Sequence, residues 1–260
     1  MDPQSIRKII LEQSKRANVG HIGSALSIAD IMVALYGKVL NIAHPEDPQR
    51  DRFILSKGHA ALALYAVLFL RGWLSKDELN TYCGDDTRLA VHPEHSLRGV
   101  EFSTGSLGQG LSLGAGLALA GKMKEANHRT FVLMSDAECN EGSVWEAAMF
   151  AAHHKLSNLI VIVDDNQQQA FGYTKNVLNL QPLSRRFAAF GWDAHEMDGH
   201  NTTQIADRII SLNSDEKPHV FIAKTTFGKG VSYMEHQIKW HYWPMSDAEY
   251  TLAMQEVQGV

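Results

Sequence analysis

Two oxygen-bearing side chains, Asp136 and Asn166, stand thirty residues apart, each shortly after an apolar run. Asp136 follows the run at residues 131–134, and Asn166 follows the run at residues 159–163. A carboxylate, an amide oxygen and a nearby backbone carbonyl form a hard oxygen-donor set, which suits Mg²⁺ or Ca²⁺ and the phosphate groups that such ions hold. The pattern indicates a metal-assisted phosphate site, the alternative being that Asp and Asn are ordinary turn residues or helix caps.

The elements that position this pair form a predicted βαβ unit. Ser143 and Glu146 have the spacing of a capping box, which predicts the start of a helix between the two apolar runs. Strands joined by such a helix are parallel, and the crossover is right-handed. Both acidic turns then lie at the carboxyl edge of one sheet, where open α/β sheets bind ligands. Asp136 and Asn166 are therefore expected to face each other across a small gap.

Histidines beside glycines offer a second kind of chemistry. His21 lies between Gly20 and Gly23, and His59 follows Gly58 at a predicted strand-to-helix turn. Small neighbours let an imidazole approach a ligand closely, and backbone N–H groups at a helix start suit a diphosphate. Each of these histidines could instead be a loop residue without a function. The glycines of residues 105–110 would bring backbone close to a flat ring or a phosphate, or would serve close helix packing.

The remaining pattern predicts alternating helices and strands around this unit. Apolar residues at helical spacing predict helices over residues 5–17, 27–39, 60–70, 74–82, 111–120, 185–190, 201–212 and from 246 onward. Short apolar runs predict strands at residues 51–56, 192–197 and 220–223. Ser75 with Glu78, and Ser246 with Glu249, have capping-box spacing. No repeat or linker interrupts the pattern, so residues 1–260 are expected to form a single domain.

Composition restricts the class of protein. A chain of 260 residues with 45% hydrophobic residues and a net charge of −5 can bury a substantial core. No basic run suggests nucleic acid, and no apolar run is long and uninterrupted enough to suggest a membrane span. The two cysteines, Cys83 and Cys139, fit a reducing compartment. With no signal-peptide pattern at the amino terminus, the expected location is cytoplasmic.

Seven segments, in order, resemble the amino-terminal, thiamine diphosphate-binding half of transketolases. They are VGHIGSALSIADIMVALY, DRFILSKGHAALALY, HPE, STGSLGQGLSLGAGLALA, ECNEGSVWEAAMFAAHHKLSNLIVIVDDN, FGWDAHEMDGH and GKGVSYMEHQIKWH. The resemblance covers about residues 7–249 and is closest to two-subunit transketolases, in which this half is a separate polypeptide. It implies an α/β fold with a parallel sheet flanked by helices on both faces. It also implies transfer of a two-carbon ketol unit from a ketose or ketose phosphate to an aldose.

The resemblance assigns roles to individual residues. It implies thiamine diphosphate as cofactor, with Mg²⁺ or Ca²⁺ held by Asp136, Asn166 and the backbone carbonyl of Gln168. The implied cofactor contacts are Ser24, His59, Gly105, Ser106, Leu107, Asp136, Ala137, Glu138, Asn166 and His241. The implied catalytic residues, which would face the thiazolium ring and the sugar and move protons, are His21, His92 and His241. His236 is the rival of His241, because the sequence does not fix the turns of the final loop.

The chain departs from the family pattern at three places. Ser135 and Ala137 flank Asp136 where the family has glycines, so a methyl group stands where backbone would lie near the diphosphate. The segment Gln-Gln-Gln-Ala-Phe-Gly, residues 167–172, follows Asn166 in place of a more apolar segment. Tyr242 and Trp243 follow His241 where the family usually has glycine. These differences indicate a specialised enzyme rather than one of central pentose phosphate metabolism.

The same resemblance implies a partner. Transketolases need a second domain that binds the aminopyrimidine ring and supplies a glutamate to it, and 260 residues leave no room for that domain. The expected partner is a C-terminal, pyrimidine-binding transketolase subunit in an α2β2 assembly. Two alternatives stay open. One is a subunit of another thiamine diphosphate enzyme, of the deoxyxylulose-phosphate synthase or 2-oxoacid decarboxylating type. The other is a degenerate, non-catalytic relative that binds only the partner.

Overall fold

The computed structural model describes residues 1–213 and 216–259 and contains one central parallel sheet. Its strands follow the order β1-β2-β3-β7-β6, and every neighbouring pair is parallel. The antiparallel pair β4 and β5 forms a separate small hairpin. The strands are β1 (Arg52–Leu55), β2 (Thr130–Ser135), β3 (Leu159–Asp165), β4 (Gln168–Gln169), β5 (Gly172–Tyr173), β6 (Asp193–Asp198) and β7 (His219–Lys224).

Helices connect the strands, and short single turns follow β1 and β2 at Gly58–Ala60 and Ala137–Asn140. The α-helices are α1 (Pro3–Ala17), α2 (Ile22–Ser27), α3 (Ala29–Ala34), α4 (Ala61–Leu70), α5 (Lys76–Leu79), α6 (Gln109–Met123), α7 (Gly142–His153), α8 (Thr174–Val177), α9 (Leu183–Ala189), α10 (Thr202–Ile210), α11 (Lys239–Tyr242) and α12 (Asp247–Gln258). Among the residues described, no helix has both the length and the apolar character needed to cross a bilayer.

The strands β2, β3 and β7 bury both of their faces, so the sheet has a core on each side. In β2, Phe131 and Leu133 belong to one apolar cluster, whereas Val132 and Met134 belong to the other. The first cluster packs α1 to α4 and α10 against the sheet, and the second packs α6, α7 and α9. This two-sided burial explains why these three strands are near-continuous apolar runs, whereas the edge strand β6 is mostly polar and partly exposed. The predicted α/β fold with helices on both faces is confirmed.

Two local predictions need correction. Residues 27–39 do not form one helix, because α2 ends at Ser27, α3 begins at Ala29, and a wider π-helical turn covers Leu35–Val39. The predicted capping box at Ser143 is also wrong. Helix α7 begins at Gly142, and the Ser143 hydroxyl donates to the carbonyl of Gly108, 3.0 Å away. The hydroxyl is therefore used to attach the loop before α6 rather than to cap its own helix.

Candidate active site

A cavity opens at the carboxyl edge of the sheet. It receives the loops that follow β1, β2 and β3, together with the start of α2 and the short helix α11. Its lining comprises His21, Ser24, His59, His92, Gly105, Leu107, Ser135, Ala137, Asn140, Glu141, Asn166, Gln168, Gln169, Ala170, Phe171, Phe227 and His241. Segments more than 200 residues apart in sequence thus meet at one place, where parallel α/β sheets bind ligands.

Of the predicted oxygen-donor pair, Asn166 lines this cavity and Asp136 is buried beside it. Strands β2 and β3 pair in parallel with Ser135 opposite Asp164, so the turns that follow them are adjacent. The backbone N–H of Gln167 donates to Oδ2 of Asp136 at 3.1 Å, and the N–H of Gln168 donates to Oδ1 of Asn166 at 3.0 Å. The chain therefore bends tightly around both side chains.

The chemistry of Asp136 fits a bound cation. The side chain is 4% exposed, and its Oδ1 atom has no hydrogen-bond partner among the described residues. Burial, followed by the nearby carboxylates of Asp165 and Asp164, raises the pKa of Asp136 well above its usual range. A buried carboxyl with an unsatisfied oxygen lies in an unfavourable environment unless a positive charge joins it. The residues present thus fit a divalent ion that also holds a diphosphate.

Asp164 is the central member of a buried polar network beneath Asn166, and the sequence analysis missed it. Asp164 accepts hydrogen bonds from the Lys57 ammonium, from Ser27 Oγ at 2.7 Å, from Asn166 Nδ2 at 2.8 Å and from the Thr225 hydroxyl. Lys57 and Asp164 are completely buried. The network orients the Asn166 amide so that its oxygen points away from Asp164. The only signal in the sequence was the second carboxylate of the Asp164-Asp165-Asn166 run.

Three histidines converge on the cavity from distant parts of the chain. Ring centroids are 5.1 Å apart for His21 and His241, 5.5 Å for His21 and His59, and 5.6 Å for His59 and His241. His21 has a left-handed backbone (φ 59°) just before α2, and its N–H donates to the carbonyl of His241 at 3.3 Å. The Nδ1 atoms of His21 and His241 are buried without a partner among the described residues. These imidazoles are therefore available to a bound molecule.

Burial also sets the protonation of these imidazoles. Burial, with smaller contributions from His21 and Lys57, lowers the pKa of His241 to about 4 from its ordinary 6.5. Burial likewise lowers the pKa of His21 and, more strongly, of His59. Neutral imidazoles can accept protons as well as donate them, which suits proton transfer on a sugar near neutral pH.

A pH dependence of folding stability follows from these shifts. In the unfolded chain His241 becomes protonated below about pH 6.5, whereas in the folded chain it becomes protonated only below about pH 4. Between these pH values the unfolded chain binds more protons, so the free energy of unfolding falls as the pH decreases. The expected loss from His241 is on the order of 3 kcal/mol. Urea unfolding of the chain between pH 7 and pH 4 should give a shallower pH slope for His241→Gln, while the exposed control His44→Gln keeps the original slope. Equal slopes for all three proteins would contradict the prediction.

Glycines bring the backbone of two loops into contact beside the histidines. A Cβ on Gly58 would lie 2.7 Å from the backbone of Thr104, and Gly105 has φ 146°, which side chains rarely adopt. A Cβ on Gly105 would also lie 2.8 Å from the His92 ring. These glycines therefore permit close approach between parts of the chain itself, namely the two loops and the His92 ring.

The predicted site residues divide into three groups. Those in the cavity lining are His21, Ser24, His59, His92, Gly105, Leu107, Ala137, Asn166, Gln168 and His241. Asp136 and Glu138 lie buried beside it. The Glu138 carboxylate accepts hydrogen bonds from the Ser56 hydroxyl and from the Gly108 N–H, so it supports the loops rather than facing the cavity. Ser106 and His236 are exposed and lie outside the lining. At His236 the chain turns, with φ 60°.

Aromatic side chains at the cavity rim occupy the positions where the sequence departs from the family pattern. The Tyr242 hydroxyl donates to the carbonyl of Ala170 at 2.5 Å, which joins the final loop to the loop that follows Asn166. Phe171 is 85% exposed and Trp243 is 62% exposed. The rim is therefore apolar and open, and the hydrogen bond fixes one wall of the entrance.

Together, the parallel sheet, the oxygen donors at its carboxyl edge and the cluster of histidines define an α/β domain with a candidate cofactor site at that edge. Comparisons with known proteins give the same class. Residues 3–259 match the family described as "Transketolase, thiamine diphosphate binding domain". The chain therefore belongs to the transketolase family and corresponds to its thiamine diphosphate-binding domain.

Individual relatives support this assignment. The chain is 41% identical over 254 residues to one of the subunits of the apulose-4-phosphate transketolase of Phocaeicola vulgatus, covering 96% of this chain and 90% of that protein. It is 37% identical over 257 residues to the 6-deoxy-6-sulfo-D-fructose transketolase subunit SqwG of a Clostridium species, covering 97% and 94%. The crystal structure of Campylobacter jejuni transketolase superimposes with a TM-score of 0.91 at 31% identity, covering 98% of this chain but 42% of that one.

Proposed function

We propose that this chain is the amino-terminal subunit of a two-subunit, thiamine diphosphate-dependent transketolase. The reaction is transfer of a two-carbon ketol unit from a ketose or ketose phosphate to an aldose. The observation that carries this proposal is the convergence of His21, His59 and His241 on one cavity beside the Asp136–Asn166 pair. Relatives of nearly the same length are named as transketolase subunits that act on unusual sugars, which supports a specialised sugar substrate here.

Each part of the cavity has a proposed role. Asp136, Asn166 and the backbone carbonyl of Gln168 hold Mg²⁺, and the ion holds the cofactor diphosphate. Ser24, His59, Gly105, Leu107, Ala137 and His92 line the cavity and would contact the cofactor. When bound, thiamine diphosphate supplies the carbanion chemistry of ketol transfer. His21 and His241 exchange protons with the sugar hydroxyls, which their neutral, partnerless Nδ1 atoms permit.

The partner is proposed to be a pyrimidine-binding transketolase subunit, in an α2β2 assembly within the cytoplasm. The proposed unit of this chain is one domain over residues 1–260. The unsatisfied Oδ1 of Asp136 favours a cofactor-binding subunit over a degenerate, non-catalytic relative. The three-histidine cluster favours ketol transfer over the other thiamine diphosphate reactions, because sugar hydroxyls need proton acceptors at that position.

The test separates the histidines by role in the assembled complex, assayed with a ketose phosphate donor and an aldose acceptor. His21→Ala and His241→Ala should each lower kcat by about 10²–10³-fold with cofactor still saturating, because contacts made in the transition state are lost. His59→Ala should mainly weaken cofactor binding. His236→Ala is the matched control, since His236 is exposed and outside the cavity.

Two results would contradict the assignment. Normal turnover in both His21→Ala and His241→Ala would remove the histidines from proton transfer. Loss of turnover in His236→Ala, with His241→Ala near normal, would move the role to the rival position. Calorimetric titration of cofactor into each variant complex shows whether a lost activity reflects chemistry or binding.

A further inference from the structure

A second group of metal-binding side chains lies at the opposite, amino edge of the sheet. Asp193 begins strand β6, His195 follows two residues later, and His219 begins strand β7. Strands β6 and β7 are parallel, with Asp193 opposite His219 and His195 opposite Phe221. Residues two apart on a strand share a face, and so do residues directly opposite on a neighbouring strand. The pairing register therefore places Asp193, His195 and His219 together.

The ligand atoms converge on one point. His195 Nε2 lies 2.9 Å from Asp193 Oδ2, and His219 Nδ1 lies 3.2 Å from the same oxygen. One ligand atom from each of the three residues lies within 4.8 Å of the other two. Donor atoms that share one tetrahedral Zn²⁺ at about 2.0–2.2 Å are separated by roughly 3.3 Å. Small side-chain rotations thus suffice to replace the hydrogen bonds by three bonds to one ion.

The surroundings hold this arrangement partly in place. The His219 side chain is 3% exposed, whereas those of Asp193 and His195 are 35% exposed. The His195 ring stacks on Phe221, with 5.1 Å between centroids and an interplanar angle of 23°. One ligand is therefore fixed in the core, one is oriented by an aromatic ring, and solvent can reach the ion and complete its coordination.

The charges near the group allow a cation. Asp193 supplies a carboxylate, and with neutral imidazoles at His195 and His219 the three ligands together carry a net negative charge. Arg208 lines the same surface depression, and its guanidinium donates to the carbonyl of Glu196 at 2.6 Å. This arginine reduces the affinity for a cation.

We propose that Asp193, His195 and His219 form a second metal site, which binds Zn²⁺ or a similar borderline transition-metal ion. Two imidazoles and one carboxylate suit such ions, whereas Mg²⁺ and Ca²⁺ prefer oxygen ligands throughout. A strand of six residues separates this site from the carboxyl edge, a distance of about 20 Å. The site is therefore distinct from the proposed cofactor site. An ion there links the edge strand β6 to β7 and stabilises the folded chain by binding to it preferentially.

Crystals of the unmodified chain grown with one equivalent of ZnCl₂ and excess MgCl₂ provide the first test. Diffraction data collected on either side of the zinc absorption edge should give an anomalous peak within about 2.3 Å of Asp193 Oδ2, His195 Nε2 and His219 Nδ1. A peak found only among His21, His59 and His241, or no peak, would overturn the proposal.

Calorimetric titration of Zn²⁺ into the chain, again with excess Mg²⁺, provides the second test. His195→Ala and Asp193→Asn should each weaken the zinc affinity of one site by about 10–100-fold or more. Zinc should raise the Tm of the unmodified chain and not that of these two variants. His44→Ala, which removes an exposed histidine elsewhere, should leave both measurements unchanged. Zinc affinity that is equal in all four proteins would overturn the proposal.

Discussion

The chain purified without a partner is expected to give no ketol transfer above background, and activity should appear when a pyrimidine-binding transketolase subunit is added. Among the described residues, the cavity lining contains neither lysine nor arginine. A sugar phosphate is normally held by such cations, so the proposed substrate needs groups from another polypeptide. The chain also spans only 42% of the length of the C. jejuni transketolase that it superimposes on.

The exposed aromatic rim indicates where the partner binds. Phe171 lines the cavity and is 85% exposed, and Trp243, two residues after the lining residue His241, is 62% exposed. Exposed apolar surface of this kind marks an interaction site. Phe171→Asp should lower the affinity of the two subunits by at least ~10-fold, because the charge would be desolvated in the interface. Met123→Asp is the matched control, since Met123 is 77% exposed but lies at the far end of α6.

Size-exclusion chromatography of the mixed subunits, with ketol transfer assayed on each fraction, measures both effects. Ketol transfer by the rigorously purified chain alone would contradict the need for a partner. Equal affinity of the Phe171→Asp and Met123→Asp variants would place the interface elsewhere. Each variant is also chromatographed without the partner. A variant that elutes like the unmodified chain is folded, so its weaker assembly then reflects a lost contact rather than a folding defect.

The sequence predicted the carboxyl edge of the sheet well because its signals are local. Apolar runs of strand length followed by Asp136 and by Asn166 define two parallel strands, and the chain direction alone then places both turns at one edge. The same logic predicted β6 and β7 within a few residues. Whether a segment forms a strand depends largely on the residue types within that segment, so a single sequence is enough to predict these strands.

The buried network of Lys57 and Asp164 was not predictable in this way. The two residues are 107 positions apart, and nothing in the local pattern distinguishes a lysine that enters the core from one on the surface. The false capping box at Ser143 has a related cause. Its spacing satisfies a local rule, but the hydroxyl bonds to Gly108, 35 positions away. Hydrogen bonds between distant segments depend on how the elements pack, which periodicity does not encode.

The choice between His236 and His241 shows the same limit within a short loop. The two histidines are five positions apart, and both follow the glycines at 228 and 230. The backbone N–H of His236 donates to the carbonyl of Phe227 at 3.0 Å, which closes a turn and directs the His236 side chain to solvent. The next turn brings His241 back towards His21. A loop whose path depends on such turns cannot be traced from residue types alone.

Replacing Asp136 is expected to abolish the metal-dependent binding of thiamine diphosphate. The carboxylate has one oxygen without a partner among the described residues, and its environment disfavours a negative charge in the absence of a cation. Asp136→Ala and Asp136→Asn in the assembled complex should each weaken cofactor affinity in the presence of Mg²⁺ by more than about 100-fold, because a metal ligand is lost. Asp85→Ala, at an exposed aspartate outside the cavity, should leave it unchanged.

The asparagine variant also separates a metal ligand from a structural residue. Because burial and the neighbouring carboxylates raise the pKa of Asp136, the ionised form destabilises the metal-free fold, and this cost grows as pH rises above about 4. Asp136→Asn keeps the shape and can still accept from the Gln167 N–H, so it should raise the free energy of unfolding of the metal-free chain at pH 7. A structural role alone would lower both stability and binding. Calorimetry with and without Mg²⁺, together with urea unfolding, measures the two quantities, and unchanged cofactor affinity in Asp136→Asn would remove this residue from the site.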